Sequence, residues 1–408
     1  MRVCQITTMA GIASFMLVAI HLLLFQVGYS QDAKAVGRLH GGTAAQSTRP
    51  LQIDGADESI VMATVSGPEF APSTLFVGIE DPTHSRAKRL REKYRLDDVV
   101  AGEASEFRRM LKLRHWVHSR WHIDNDQNFN GDVFEILEKA KAGAGFNCTH
   151  AMKVQHAVMT VMGFVARDLG VQCDTEKFPD AFHHGVNEVW SNEFAKWVLM
   201  DGEYDFHFER DGRPLSALEV HEAVRAGGGQ RIVKVQGPGR AAVPMDGPGF
   251  PFTSAVGYWW VAYHVRQNTF TQPSGNESRL VVFDSEAFRQ TTWLRKRGDN
   301  VLRKHWAYDA KAFIPTLQRR EIEWTPGVPE LRVRQTASGE LEVDVRSDTP
   351  NLESTRSRID GGAWRALEDG QLTWKLQAGE NRLEVCTRNA QGALGPVVTA
   401  SVTFNPKL

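Results

Sequence analysis

The chain has 408 residues, 42% of them hydrophobic and 24% charged, with 48 Lys+Arg against 49 Asp+Glu for a formal charge of −1. At about 100–200 residues per domain this predicts two to four domains, and the ordinary composition excludes wholesale disorder, collagen-like repeats and a multi-span membrane protein. Balanced charge argues against nucleic acid as a partner, and four cysteines (Cys4, Cys148, Cys173 and Cys386) are too few to build a disulfide scaffold.

Arg2 precedes an apolar run from about Met9 to Val27, and Gly28-Tyr29-Ser30 offers small residues for a cut after Ser30. This reads as a secretory signal over 1–30, with an uncleaved N-terminal anchor as the alternative. The rest is expected to be secreted or periplasmic and to touch no membrane elsewhere. Residues 31–104 form an N-terminal segment: a polar lead-in, short β-like runs at Ile60–Val65 and Thr74–Ile79, and a basic helix over His84–Arg95 that reads as a solvated face.

Residues 105–229 carry the densest pattern. Phe107, Met110, Leu111, Val117 and Trp121 recur at helical spacing behind Ser105 as cap, and Asp132–Lys141 reads as a second helix. A long helix is expected from Cys148 to Leu169. Strands follow at Gly185–Trp190 and Lys196–Met200 around a turn at Ser191-Asn192-Glu193. Ser216 with Glu219 is a capping-box signal for a helix that stops at Gly227.

Residues 230–325 are expected as an extension of this core, with an irregular Gly/Pro-rich stretch at 235–251, strands at Tyr258–Val265 and Arg279–Phe283, and mixed helical pieces to Trp324. Tyr258, Trp259, Trp260 and Tyr263 cluster there, as ordinary core or as a stacking wall. Thr325-Pro326-Gly327-Val328-Pro329 reads as a linker. Beyond it, alternating apolar residues such as Leu341, Val343 and Val345 predict about seven short strands, an Ig-like or fibronectin-like all-β sandwich over 326–408 serving as an accessory module.

Three residues carry chemistry together. Cys148, behind Gly145 and Asn147, opens a helix, where the helix dipole and unpaired backbone N–H groups favour the nucleophilic thiolate. With the hairpin turn centred between Asn192 and Glu193, paired positions sum to 385, so His184 and Asp201 face each other across the strands on one sheet face. The carboxylate would orient the imidazole and leave its other nitrogen for the thiol. Nucleophile, base and orienting acid are the parts of covalent acyl transfer. His183 is placed on the opposite face. His150 and His156 do not share a helix face, so no metal site is expected from them or from His207, and no cofactor is expected.

These residues resemble the transglutaminase-like superfamily. The likeness lies in Phe146-Asn147-Cys148 opening a helix, Gly163-Phe164-Val165-Ala166-Arg167, His184-Gly185-Val186-Asn187-Glu188-Val189-Trp190 and Trp197-Val198-Leu199-Met200-Asp201, over roughly 105–225. It implies an α+β, papain-like core with a cysteine-bearing helix packed on an antiparallel sheet. In that core Cys148 is the nucleophile, His184 the base, Asp201 the orienting acid and Arg167 a structural residue. The CxxC zinc pairs and acidic calcium loop of some members are missing.

The function expected is an exported thiol enzyme that cleaves or transfers amide bonds of a peptide or protein substrate, cell-wall or extracellular, through a Cys148 acyl-enzyme, as a peptidase or amidase. The alternative is a non-catalytic exported binding or scaffold protein on the same fold.

Overall fold

The computed structural model describes residues 47–407 except 175–176, 179–182, 276, 284–291, 298–299 and 306–311; for 292–297 and 300–305 it describes the backbone. The expected signal and Cys4 lie outside these residues. No helix among them is long and apolar enough to cross a membrane.

The fold mixes helices with mostly antiparallel sheets. Among the described residues the central sheet has six strands, in the order Phe313–Thr316, Leu280–Phe283, Trp260–His264, Ala166–Gln172, His184–Ser191 and Lys196–Met200. One face is covered by the helices Ser85–Lys93, Glu106–His118, Val133–Lys141 and Cys148–Val161. Leu111, Ile136, Val154 and Val158 pack there with Val189 and Val198 of the sheet. The other face buries Leu169, Val186 and Leu199 with Phe208, Leu218, Tyr258 and Tyr263. Ser105, Asp132, Asn147 and Ser216 all cap helices with their side chains, and Asp132 and Ser216 do so within capping boxes.

Several expectations are corrected. The helix from Cys148 ends at Val161, because Gly163 takes φ +89° and turns the chain into the strand Ala166–Gln172. That strand hides two of its polar residues in pairs: Arg167 with Glu188, and Asp168 with His156. Thr74–Ile79 forms only an isolated bridge, Val77 to Arg266. The Gly/Pro-rich stretch holds a short strand, Ala241–Val243, paired to Val233–Gln236. The expected helical pieces after 283 are mostly strands: a hairpin of Thr292–Arg297 and Asn300–His305, then Phe313–Thr316, with a short helix at Arg319–Ile322.

The basic helix Ser85–Lys93 buries Ala87 and Leu90 and pairs its charges at home: Arg86 with Asp132 at 3.1 Å, Arg91 with Asp97 at 2.7 Å and Lys93 with Glu138 at 2.7 Å. The aromatic cluster is core, with Tyr258, Trp260 and Tyr263 all buried.

The C-terminal strands form two sheets over one core. Val65, Val333, Leu341, Val343, Trp374, Val385 and Val402 meet there. Both sheets also take strands from the start of the described chain. Ile60–Ser66 pairs with Val398–Phe404 in one, and Ile53–Asp54 lies parallel to Glu330–Ala337 in the other. The linker-like residues are docked: Val328 is buried, and Thr387 Oγ1 donates to the Gly327 carbonyl at 2.8 Å. The same core includes Trp190 and Trp197 of the central sheet, so the two-sheet part grips the hairpin that carries His184.

Trp197 is the pivot of that junction. Its indole donates to the Trp324 carbonyl at 2.7 Å, and its ring centre lies 3.9 Å from the Arg167 guanidinium carbon. A Trp197→Ala substitution is expected to cost about 3–5 kcal/mol in urea unfolding, the range for emptying a buried aromatic site. A loss below about 1 kcal/mol would show that the junction does not hold the hairpin.

Candidate active site

Asn147 fixes the start of the cysteine helix. Its side-chain oxygen accepts from Thr149 N at 3.1 Å, and its amide donates to the Gln127 carbonyl at 3.0 Å. Cys148 is thereby the first residue of the helix and half-buried. Its backbone N–H lies in the first turn, where the helix offers no acceptor. The strand beside it begins His184-Gly185; a methyl group on Gly185 would lie 3.3 Å from Met152 Sδ, so glycine lets helix and strand close on each other.

The hairpin register differs from the expected one. Asn187 pairs with Met200 and Trp190 with Trp197, so paired positions sum to 387. The turn runs through residues 192–195, with Ala195 at φ +50° and Phe194 buried against Phe107 at 5.1 Å between ring centres. The turn therefore extends past the expected Ser191-Asn192-Glu193 to take in Phe194 and Ala195. The shift is two residues, and side chains alternate with period two, so His184 and Asp201 keep the same face. They meet as diagonal neighbours: His184 Nε2 lies 2.7 Å from Asp201 Oδ2. The position that the 387 register sets opposite His184 is Glu203, and its Oε2 lies 3.6 Å from His184 Nδ1.

Asp201 is held as a carboxylate acceptor. Its Oδ1 takes the backbone N–H groups of Glu203 and Tyr204, both at 2.9 Å. The turn behind it is clamped by the helix Glu106–His118. Buried Arg114 reaches Asp205 Oδ1 at 2.8 Å, His115 reaches Asp205 Oδ2 at 2.6 Å, and His118 bonds the Glu203 carbonyl at 2.8 Å. Gln155, from the cysteine helix, donates to Asn187 Oδ1 and to the Met200 carbonyl, both at 2.9 Å.

His184 is only 3% exposed and sits between the Phe252 ring at 5.5 Å and the Tyr204 ring at 5.8 Å. Burial pulls its pKa down. The charge and hydrogen bond of Asp201, followed by those of Cys148, outweigh burial and hold the imidazole well above its usual 6.5. The Cys148 sulfur, a ring nitrogen of His184 and a carboxylate oxygen of Glu203 lie within 4.8 Å of one another, the group of such atoms among the described residues able to hold a metal ion. Burial raises the Glu203 carboxyl to about 7, against the pull of His184.

Of the residues singled out in the sequence, Cys148, His184 and Asp201 come together. His183 is exposed beside the strand. Cys173 and Cys386 are buried and unbonded, and burial pushes Cys173 up to about 12. His150 bonds Asn147 and the Phe129 carbonyl, and His207 bonds Arg114 and Glu209. Glu203, Tyr204, Phe252 and the Arg114/His115/His118 clamp escaped the sequence reading. For Glu203 the signal was present: it shares the parity of Asp201, two residues on.

No protein-family model matches the chain, and no curated protein is similar to it in sequence. Among solved structures, a red sea bream transglutaminase overlays at 10% identity with a TM-score of 0.23, over 79% of this chain and 72% of that one. A likeness that weak carries no structural weight.

Deep in the same core, His156 Nδ1 lies 2.8 Å from Asp168 Oδ1, and its Nε2 is 3.0 Å from the Gln267 carbonyl and 3.6 Å from Glu80 Oε1. Burial lowers its pKa, but the Asp168 and Glu80 carboxylates reverse this and raise it to about 9. Because the folded value exceeds the unfolded one, the contribution is full below about pH 6.5 and fades as pH rises through 9. Unfolding free energy measured in urea is expected to fall by up to about 3 kcal/mol more between pH 6.5 and pH 9.5 in the native sequence than in His156→Gln. Equal falls in the two proteins would contradict this assignment.

Proposed function

We propose that the chain is a transglutaminase-like thiol enzyme, acting on amide bonds of a peptide or protein substrate through an acyl-enzyme on Cys148, with hydrolysis as its reaction. The observation that carries this reading is a buried imidazole bonded to Asp201 through Nε2 at 2.7 Å, with the Cys148 thiol close to its ring. The motif resemblance across residues 146–201 supports it. An exported location rests on the N-terminal sequence alone.

The steps follow from the charges. His184, held charged by Asp201, stabilises a Cys148 thiolate beside it. The thiolate attacks the amide carbonyl carbon, and the oxyanion that forms is met by the Cys148 backbone N–H. The C–N bond breaks as His184 passes its proton to the leaving amine. Neutral His184 then takes a proton from water, whose oxygen attacks the thioester. The acid departs and the thiol–imidazole pair is restored. An amine in place of water would give transfer.

A scaffold protein on this fold would have no need to hold thiol and imidazole together; a separation above about 6 Å would have favoured that reading. The atoms lie within 4.8 Å.

Iodoacetamide at pH 7 is expected to label Cys148 and to spare buried Cys173 and Cys386, with Asp201→Asn slowing the reaction at least tenfold. Mass spectrometry after incubation with peptide and cell-wall libraries should find a thioester on Cys148 that is missing in Cys148→Ala. Labelling of Cys173 with Cys148 untouched would sink the mechanism.

A further inference from the structure

Glu203 is not used by the acyl-transfer steps, yet it is buried at 4% exposure in the centre of the site. Its Oε1 has no hydrogen-bond partner among the described residues. Its Oε2 stands 3.6 Å from His184 Nδ1, too far for a hydrogen bond. A buried carboxylate oxygen that accepts no hydrogen bond is costly, and one distant ion pair does not satisfy it, so its retention calls for a ligand.

From this we infer that Cys148, His184 and Glu203 form a binding site for a thiophilic divalent cation of the zinc type, one that seizes the nucleophile. The ligand chemistry is a thiolate, an imidazole nitrogen and a carboxylate oxygen, a set suited to zinc. A tetrahedral zinc with bonds of about 2.0–2.3 Å holds its ligand atoms roughly 3.3–3.6 Å apart. The Nδ1–Oε2 distance of 3.6 Å is close to that edge, and the sulfur, within 4.8 Å of both atoms, needs a shift of at most about 1.5 Å to complete the triangle. His184 also has the outer partner that metal-binding histidines use: Asp201 holds Nε2, fixes the ring and leaves Nδ1 to face the cation. The fourth position is open to water. On binding, the proton shared by the Cys148–His184 pair passes to solvent, and any proton on Glu203 follows it. With its sulfur bound, Cys148 cannot attack a carbonyl, so the cation and an acyl group exclude each other.

The test uses the full chain stripped of metal with a chelator, titrated with zinc chloride by calorimetry and with cobalt(II) by absorption. One tight zinc per chain is expected. Cobalt should give a thiolate-to-metal charge-transfer band that zinc abolishes. Cys148→Ser and the isosteric Glu203→Gln should each weaken zinc at least tenfold, with circular dichroism confirming that both fold. In the native sequence, zinc should block iodoacetamide labelling of Cys148, reversibly with chelator. A tight site unchanged by both substitutions, or zinc that leaves Cys148 labelling unaltered, overturns the inference. None of these readouts requires turnover, so they stand or fall separately from the proposed amide chemistry.

Discussion

A protonated imidazole hidden from water survives only beside a carboxylate that cannot turn away. Everything around Asp201 serves that requirement. One oxygen is fixed by two backbone N–H groups of its own turn, which aims the other at His184 Nε2. The turn is tied down by Arg114, His115 and His118, three side chains on one helix. Gly202 lies so close to Gln155 that an added methyl would meet its Oε1 at 2.6 Å, and Gln155 belongs to the helix that begins with Cys148. Asp201, His184 and Cys148 are therefore referenced to one another through a few short contacts on rigid elements, the arrangement the proposed acyl transfer requires.

The outer architecture continues the same logic. The strand that begins at His184 ends beside Trp190, and Trp197 stands four residues before Asp201. Both tryptophans are buried in the core of the two-sheet part. That part is itself closed by strands from residues 48–66, so both ends of the described chain brace the hairpin that carries His184. Arg167 joins the layers: it pairs with buried Glu188, stacks on Trp197 and bonds the Ile322 carbonyl at 2.5 Å.

The helices were legible because their signals are local: Ser105, Asp132, Asn147 and Ser216 cap where a short polar side chain precedes an apolar stripe. The face shared by His184 and Asp201 was legible for a cruder reason, since an error of two residues in register leaves parity intact. The register itself was not, because Ala195 adopts a left-handed conformation that alanine rarely takes and Phe194 spends an apolar ring on a turn. Nor could the clamp on Asp205 be foreseen: it joins residues some 90 positions apart through charges that look solvated in isolation. The strand at Ile60–Ser66 was visible as β-like, but its partner Val398–Phe404 lies more than 330 residues away, and pairing over that range leaves no local trace.

Asp201 keeps buried His184 charged at neutral pH. A nuclear magnetic resonance titration of the His184 ring tests it directly. The ring is expected to be an imidazolium at pH 7 that loses its proton well above 6.5, with a clear downward shift of that titration in Asp201→Asn. A His184 ring that titrates at or below 6.5 in the native sequence, or one that Asp201→Asn leaves unmoved, would contradict it.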